Sequence, residues 1–580
     1  MGYTTDRTIQ ILISLLKEHH IRKVVASPGT TNAVFVASLQ NDSFFEMYSS
    51  VDERSAAYIA CGLSQESGEP VVITCTEATA SRNYLSALTE AHYRKLPICA
   101  ITGYHHLETI GQLYPQSIDR SVTPKDTVNM SVDIATVFDK NDEWKANFLI
   151  NKALLALKHR GGGPVHINLQ SSYKWDLKAE SLPKERKIEL FDLSNQLPDL
   201  PHGRIAIVVG AHKRFSSELT NNIDKFCSSH NAVVFASHIS GYQGCYKVNP
   251  TILGVDSRFS SLFSAELVIH IGEIDAPRVL SQHYWRVSED GIPRDTFKNL
   301  TYMFDMDESS FFKNYISKNT EDNVYYKECI KAVNENENVL DCLMDKIPFS
   351  STWIASKLHN HIPSQSVIHF GILNSYRTWG YFSLPEGVEG SCNVGGYGID
   401  GGLSTLLGSS LASPKRLHFG VFGDLAFFYD MNCLGNRYVG NNLRILLINN
   451  GKGQEFRNCI HPAYKLGEIA DDFVAAAGHY GNKSSFLVRH YAEDLGFEYF
   501  TASTKEEFLG QMEVFTRTDN APSSIIFEVF IEGENESASL GMIQKISETA
   551  STSLKKNIKG TLYKVLGEDK VSVLKGLIKR

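Results

Sequence analysis

The stretch that decides the fold is residues 420–456, GVFGDLAFFYDMNCLGNRYVGNNLRILLINNGKGQEF. Apolar runs at 417–422 and 444–448 are typical of buried strands, and the amphipathic segment between them predicts a crossover helix. Asp424 and Asn450 follow the two runs and lie 26 residues apart. Because parallel strands end at the same edge of a sheet, the stretch predicts a β–α–β unit with polar side chains at its ligand-binding edge.

This edge has the chemistry of a magnesium site with room for phosphate oxygens. An aspartate, an asparagine amide and a loop carbonyl are the hard oxygen ligands that Mg²⁺ prefers. Gly423, Gly451 and Gly453 allow the backbone to come close to an anion. The alternative is an ordinary β–α–β unit, because Asp and Asn-Asn-Gly are also good turn residues.

Composition limits the class of protein. The chain has 580 residues, too many for one core, with 42% hydrophobic and 21% charged residues, as in globular proteins. Its net charge of −8 argues against nucleic acid as a partner. We expect a cytoplasmic protein without a membrane partner, since no apolar run could span a bilayer and no signal-peptide core is present. The ten cysteines form no CxxC pair and are expected to be reduced.

Alternating strand and helix patterns predict an α/β fold with three doubly wound parallel-sheet domains. We place these domains at 1–180, 201–330 and 350–540, followed by a tail at 541–580 for which the sequence predicts no function. The polar, proline-containing residues 176–200 are predicted to be a linker. In the first domain, one helix is predicted at 76–91 and a mostly polar loop at 125–142. The central block contains no GxGxxG motif, which disfavours a dinucleotide-binding dehydrogenase.

The Gly423-Asp424 and Asn449-Asn450 pairs resemble the diphosphate- and metal-binding motif of thiamin-diphosphate (ThDP) enzymes. The resemblance implies that ThDP and Mg²⁺ are the cofactors, and that the metal ligands are Asp424, Asn450 and the backbone oxygen of Lys452. The further residues that the resemblance places at the cofactor are Glu53, Asn83, Ser375, Gly398, Ile399, Gly423, Leu425, Gly453 and Phe456.

Two of these residues have implied chemical roles. Glu53 matches the family glutamate that bonds to N1′ of the aminopyrimidine, a catalytic task for a desolvated carboxylate that can share a proton. Ile399 matches the aliphatic residue that holds the cofactor in its bent shape. The alternatives are a helix-start glutamate, which is common, and an apolar residue that fills a gap in the core.

Several strings resemble one branch of the family, the SEPHCHC synthases (2-succinyl-5-enolpyruvyl-6-hydroxy-3-cyclohexene-1-carboxylate synthases) of menaquinone biosynthesis. They are the SPG at 27–29, DER at 52–54, GIDG at 398–401 and GDL at 423–425. The resemblance implies decarboxylation of a 2-oxo acid and transfer of the acyl unit to an aldehyde, ketone or alkene acceptor. It also implies a homodimer or homotetramer, with the cofactor between the first domain of one subunit and the third domain of another.

The substrate side departs from that branch. The branch has arginines that bind the dicarboxylates 2-oxoglutarate and isochorismate, where this chain has Thr31, His105 and Val394. We therefore expect a retained cofactor site and a different substrate, not isochorismate. Glu455 replaces an aliphatic residue and would suit a hydroxyl- or amine-bearing acceptor. The candidate substrate-side residues are Thr30, Thr31, His105, His106, Gln112, Arg278, Ser375, Arg377, Glu455 and Arg457.

Two alternatives within the ThDP fold stay open. The first is a decarboxylase that releases an aldehyde without ligation, and the second is a binding protein on an inactive ThDP fold. The joint presence of Glu53, Asp424 and Asn450 argues against the second. The identity of the donor acid and of the acceptor, and the choice between dimer and tetramer, are left open.

Overall fold

The computed structural model describes residues 2–104, 107–170, 172, 174–320, 322–479, 483–518 and 522–546. The chain divides into two compact units. The first comprises Met1–Pro198 and His283–Met306, and the second comprises Asp199–Gln282 and Asp307–Arg580. Across the described ranges, every helix is too short or too polar to cross a bilayer.

The strands form parallel sheets, which confirms the predicted α/β fold with three parallel-sheet domains. In chain order they are β1 (Lys23–Ala26), β2 (Glu46–Ser49), β3 (Val71–Cys75), β4 (Ile98–Tyr104), β5 (Met130–Ile134), β6 (Val165–Gln170), β7 (Glu189–Phe191), β8 (Ile205–Val209), β9 (Ala232–Ala236), β10 (Lys247–Val248), β11 (Leu267–Ile271), β12 (His283–Val287), β13 (Leu300–Phe304), β14 (Val367–Phe370), β15 (Glu389–Cys392), β16 (His418–Gly423), β17 (Leu443–Asn449), β18 (Glu498–Ala502) and β19 (Ile525–Phe530).

The helices connect these strands and cover the sheets. They are α1 (Arg7–Glu18), α2 (Ala33–Gln40), α3 (Glu53–Ser67), α4 (Thr79–Asn83), α5 (Leu85–Arg94), α6 (Lys140–Ala156), α7 (Ser217–Ser229), α8 (Pro250–Leu253), α9 (Glu308–Tyr315), α10 (Val324–Met344), α11 (Ser351–Leu358), α12 (Asn374–Trp379), α13 (Gly402–Ala412), α14 (Asp424–Asp430), α15 (Leu487–Asp494), α16 (Lys505–Thr516) and α17 (Gly533–Gln544).

The first unit contains a six-stranded sheet in the order β2-β1-β3-β4-β6-β5. It also contains three strands that pair in the order β12-β13-β7. Neighbouring residues of β1 face opposite sides of the six-stranded sheet. Val24 belongs to a core with α1 and α6, whereas Val25 belongs to a core with α3 and α5. Because both faces are covered, the central strands β3 and β4 are buried along their whole length rather than at alternate residues.

The second unit contains four strands that pair in the order β10-β9-β8-β11. It also contains a six-stranded sheet in the order β15-β14-β16-β17-β19-β18. Here too the sheet is covered on both faces. Ile448 packs with Trp353 of α11 and Phe508 of α16, whereas Leu447 packs with Leu406 of α13 and Val488 of α15.

The two six-stranded sheets share one topology. Numbered within its own sheet, each has the strand order 2-1-3-4-6-5. The chain winds in opposite directions from the first strand and from the third, so a crevice opens between their carboxyl ends. These ends belong to β1 and β3 in the first unit, and to β14 and β16 in the second.

Two predicted segments differ in the structure. The single helix predicted at 76–91 is two helices, α4 and α5, and α4 is preceded by Ala78 with φ 57° and ψ −127°. The predicted polar loop at 125–142 contains β5, which pairs with β6 at the sheet edge. Only Val132 and Ile134 of β5 are buried, so its sequence lacks the apolar run of a central strand. The domain boundaries stay a prediction.

Candidate functional site

A buried carboxylate lies at the edge where β16 and β17 end. Gly423 pairs with Ile448 across these strands, which brings the following residue, Asp424, beside the Asn450 turn. Asp424 is only 4% exposed. One of its oxygens accepts hydrogen bonds from the backbone N–H groups of Asn450 (3.2 Å) and Gly451 (2.6 Å), and the other from the N–H of Leu425 (2.7 Å). Burial raises the pKa of Asp424 to about 6, although these N–H groups act in the opposite direction.

The turn after β17 has a backbone that only a glycine adopts easily. Gly451 has φ 78°, in the left-handed region. A Cβ atom at Gly453 would lie 3.3 Å from the side chain of Leu425 and 3.5 Å from that of Phe456. The turn thus brings together four of the residues predicted to bind the cofactor: Leu425, Asn450, Gly453 and Phe456.

The loop after β14 lies beside this turn, because β14 pairs with β16. Leu373, just before α12, has φ 63° and ψ −117°, a strained conformation for a branched residue. Ser375 follows in the first turn of α12 and is buried. The neighbouring Asn374 is held from two sides, since it donates to Glu536 (3.0 Å) and accepts from Asn458 (3.2 Å).

The glycine-rich turn at 393–401 is anchored where it enters α13. Gly395, Gly396 and Gly398 are exposed, and Ile399 is half-buried. At the start of α13, Ser404 donates its backbone N–H and its hydroxyl to the two oxygens of Asp430, at 2.6 Å each. Asp430 is buried, so these bonds fix where the turn enters the helix.

In the first unit, Glu53 and Asn83 are brought together. Glu53 is the first residue of α3, and one of its carboxylate oxygens accepts a 3.1 Å hydrogen bond from the amide of Asn83, the last residue of α4. Asp52 caps α3 by accepting hydrogen bonds from the N–H and the hydroxyl of Ser55, which lower the pKa of Asp52. The cap fixes the helix start and so the position of Glu53.

The threonine pair after β1 has one buried and one exposed member. Thr30 is exposed, whereas Thr31 is buried and shares a 2.8 Å hydrogen bond with Thr76. A Cβ atom at Gly103 would lie 2.4 Å from the Thr31 hydroxyl, so β4 passes very close to this side chain. Gln112 is exposed, and His105 and His106 lie outside the described residues.

The predicted substrate-side cations of the second unit are mostly paired. Arg377 makes two hydrogen bonds to Glu455, at 2.7 and 2.9 Å. Asp471 lies 3.4 Å from the guanidinium of Arg457 and 3.1 Å from the ammonium of Lys452. Arg278 is exposed.

Comparison with known proteins identifies the family. Residues 6–123 match the model of the thiamine pyrophosphate enzyme N-terminal TPP binding domain. A 2-succinyl-5-enolpyruvyl-6-hydroxy-3-cyclohexene-1-carboxylate synthase of Bacteroides fragilis is 32% identical over 561 residues, covering 91% of this chain and 96% of the relative. The synthase of the same name from Phocaeicola vulgatus is 30% identical over 569 residues, covering 93% and 98%. This chain belongs to the ThDP enzyme family.

The residues at the β16–β17 edge fit the ThDP family's metal and diphosphate. A carboxylate that burial alone would tend to protonate is a suitable ligand for a divalent cation, which favours its ionised form. The amide oxygen of Asn450 and the Lys452 carbonyl add neutral oxygen ligands of the kind that Mg²⁺ accepts. Because Gly453 has no side chain, its backbone would be able to approach the diphosphate closely.

Three buried acids that support the site of this ThDP-family chain were not predicted from the sequence. Glu536 accepts from the N–H and hydroxyl of Ser351 and from Asn374, and burial raises its pKa. Glu528 accepts from Asn449, the neighbour of Asn450, at 2.7 Å. Asp430 is the third. An acid inside an apolar strand, as in the 525–530 segment IIFEVF, is the one sequence signal that could have indicated Glu528.

Proposed function

We propose that this chain is a ThDP- and Mg²⁺-dependent transferase or lyase that decarboxylates a 2-oxo acid and transfers the resulting acyl unit to an acceptor. The observation that supports this most is the buried Asp424 carboxylate, held by three backbone N–H groups beside Asn450 at the carboxyl ends of β16 and β17. Membership of the ThDP family supports the cofactor, and the retained Glu53 supports its use in catalysis.

Different residues of this chain would bind the metal and the diphosphate. Asp424, Asn450 and the Lys452 carbonyl would hold Mg²⁺, and Gly453 would admit the diphosphate. Bound ThDP supplies the electron sink that decarboxylation requires.

In the proposed first-unit half of the site, Glu53 would hold a proton at a carboxylate oxygen and would hydrogen-bond the pyrimidine ring of the bound cofactor. Asn83 orients that carboxylate through its 3.1 Å hydrogen bond. Ile399, Ser375, Leu425 and Phe456 would enclose the cofactor in the second-unit half.

The proposal extends to assembly and to the domains. We propose a homodimer or homotetramer, in which the Glu53 half of one subunit faces the Asp424 half of another. Each of the ten cysteines is a free thiol, which supports a cytoplasmic location. The boundaries 1–180, 201–330 and 350–540 are proposed as pyrimidine-binding, central and diphosphate-binding domains.

The test is carbon dioxide release from a panel of 2-oxo acids in the presence of ThDP and Mg²⁺, with and without aldehyde, ketone and alkene acceptors. We expect release with at least one acid, and a new carbon–carbon bond in the product when an acceptor is present. Aldehyde release that no acceptor changes would instead support a non-ligating decarboxylase. Calorimetry that detects no ThDP uptake would contradict the proposal.

A further inference from the structure

The ion pair between Arg377 and Glu455 spans the end of β16. Arg377 lies on α12, which follows β14, and Glu455 lies in the 3₁₀ helix Gln454–Arg457, which follows β17. In the sheet, β16 lies between β14 and β17. The pair therefore joins the loops on either side of Asp424, at the edge where the proposed cofactor site lies.

The pair has the geometry of a strong, specific contact. Both terminal nitrogens of Arg377 donate, one to each oxygen of Glu455, at 2.7 and 2.9 Å. The Arg377 side chain is 26% exposed and that of Glu455 is 12% exposed, so water screens the pair only in part. A substrate carboxylate that sought this guanidinium edge would have to displace Glu455.

Two further cations of the second unit share one carboxylate near the pair. Lys452 and Arg457, the other cations of the loop after β17, both face Asp471. On the opposite side, Tyr376 of α12 donates to Asp275 at 3.0 Å, which adds another carboxylate near the pair. The two cations and the two carboxylates named here balance, so a second substrate carboxylate would meet no net positive charge among them.

We infer that Glu455 is a specificity-determining residue, which occupies Arg377 and thereby selects a 2-oxo acid with an uncharged side chain over one with a second carboxylate. The inference rests on the proposed function and names the substrate class of that same site. The Glu455 carboxylate acts in two ways. It occupies the two hydrogen-bond donors that Arg377 would otherwise offer to a substrate, and its negative charge repels a second substrate carboxylate.

The experiment compares 2-oxoglutarate with 2-oxopentanoate, in which a methyl group replaces the second carboxylate. We expect the wild-type protein with ThDP and Mg²⁺ to have the higher kcat/KM for 2-oxopentanoate. Glu455→Gln keeps the shape of the side chain but removes its charge, which frees Arg377. The ratio of kcat/KM for 2-oxoglutarate to kcat/KM for 2-oxopentanoate should therefore rise by at least about tenfold. Adding Arg377→Gln should abolish that shift. Glu506→Gln, an exposed acid of α16, is the matched control and should leave the ratio unchanged.

A binding measurement covers the case in which neither acid is turned over. Calorimetry with glutarate and with pentanoate, which cannot be decarboxylated in this way, should give glutarate at least about tenfold tighter binding to Glu455→Gln than to the wild type. Unchanged glutarate affinity in Glu455→Gln, an unchanged kcat/KM ratio, or a wild-type preference for 2-oxoglutarate would overturn the inference. Absence of ThDP uptake would instead count against the proposed function.

Discussion

The carboxylate of Glu53 accepts a 3.1 Å hydrogen bond from the side-chain amide of Asn83. The contact joins the first residue of α3 to the last residue of α4, and it fixes the direction of a carboxylate on which proton sharing with the cofactor would depend. Glu53→Gln keeps the size of the side chain but removes the charge. We expect carbon dioxide release to fall by at least about 100-fold, with thermal stability near that of the wild type. Near-normal turnover would refute the assigned role of Glu53.

Asp424→Ala tests the proposed metal site. The substitution removes a buried carboxylate and leaves the N–H groups of Leu425, Asn450 and Gly451 without their acceptor. We expect calorimetry to detect no joint uptake of ThDP and Mg²⁺. Asp494→Asn, at the exposed end of α15, is the control and should bind both as the wild type does. Unaltered uptake by the Asp424 variant would place the metal elsewhere.

Asp430→Ala tests the anchor of the glycine-rich turn. Asp430 is buried, and the variant loses two hydrogen bonds of 2.6 Å from Ser404, one of them to a backbone N–H. Hydrogen bonds to a charged group contribute about 2 kcal/mol each, so the free energy of unfolding should fall by about 2–4 kcal/mol. Chemical denaturation measures this loss. A change below about 0.5 kcal/mol, typical of surface substitutions, would show that the turn has another anchor.

Gly103→Ala tests the close approach of β4 to Thr31. The new Cβ atom would lie 2.4 Å from the Thr31 hydroxyl and 2.9 Å from its backbone carbon, so backbone must move. We expect a clear fall in Tm by differential scanning calorimetry. Gly408→Ala in α13 is the matched control, because a Cβ atom there meets nothing within 4 Å and alanine favours helix. Equal Tm values for the two variants would contradict the described packing.

The lowered pKa of His166 predicts that the protein becomes less stable in acid. Burial, with Arg120 nearby, lowers the pKa of His166 from 6.5 to about 3, so between these values the unfolded chain binds more protons than the folded one. The free energy of unfolding should therefore fall as the pH drops from 6.5 toward 3, by up to about 1.4 kcal/mol per pH unit from this residue.

The measurement for His166 is urea denaturation at several pH values from 7 to 4. His166→Gln should show a shallower pH dependence than the wild type, because glutamine does not titrate. His490→Gln, a substitution of an exposed histidine in α15, should leave the pH dependence unchanged. Equal slopes for His166→Gln and the wild type would contradict a neutral, buried imidazole.

The parts of the fold that could be predicted are those that local sequence encodes. The runs predicted at 417–422 and 444–448 are β16 (His418–Gly423) and β17 (Leu443–Asn449), since strands buried on both faces are continuous apolar runs. The half-buried edge strand β5 lacks that pattern and was missed. The late start of α4 could not be predicted either, because nothing in the local sequence marks Ala78, the residue before it, as one with positive φ.

The candidate site also has some features that local sequence encodes and others that it does not. Asp424 and Asn450 each follow an apolar strand, so the sheet topology places them together. The pairing of Arg377 with Glu455 joins residues 78 apart, and that of Asn374 with Glu536 joins residues 162 apart. No periodic pattern encodes such contacts, because they depend on how separate loops pack in three dimensions.

The shared strand order of the two six-stranded sheets has an evolutionary consequence. A chain that winds the same layout twice has two equivalent crevices, and each crevice is lined by loops that contribute little to the cores beneath them. Substitutions can then accumulate at loop positions other than those proposed to hold the cofactor, while the two cores persist. A lineage can in this way exchange one reactant for another and keep its ancestral coenzyme.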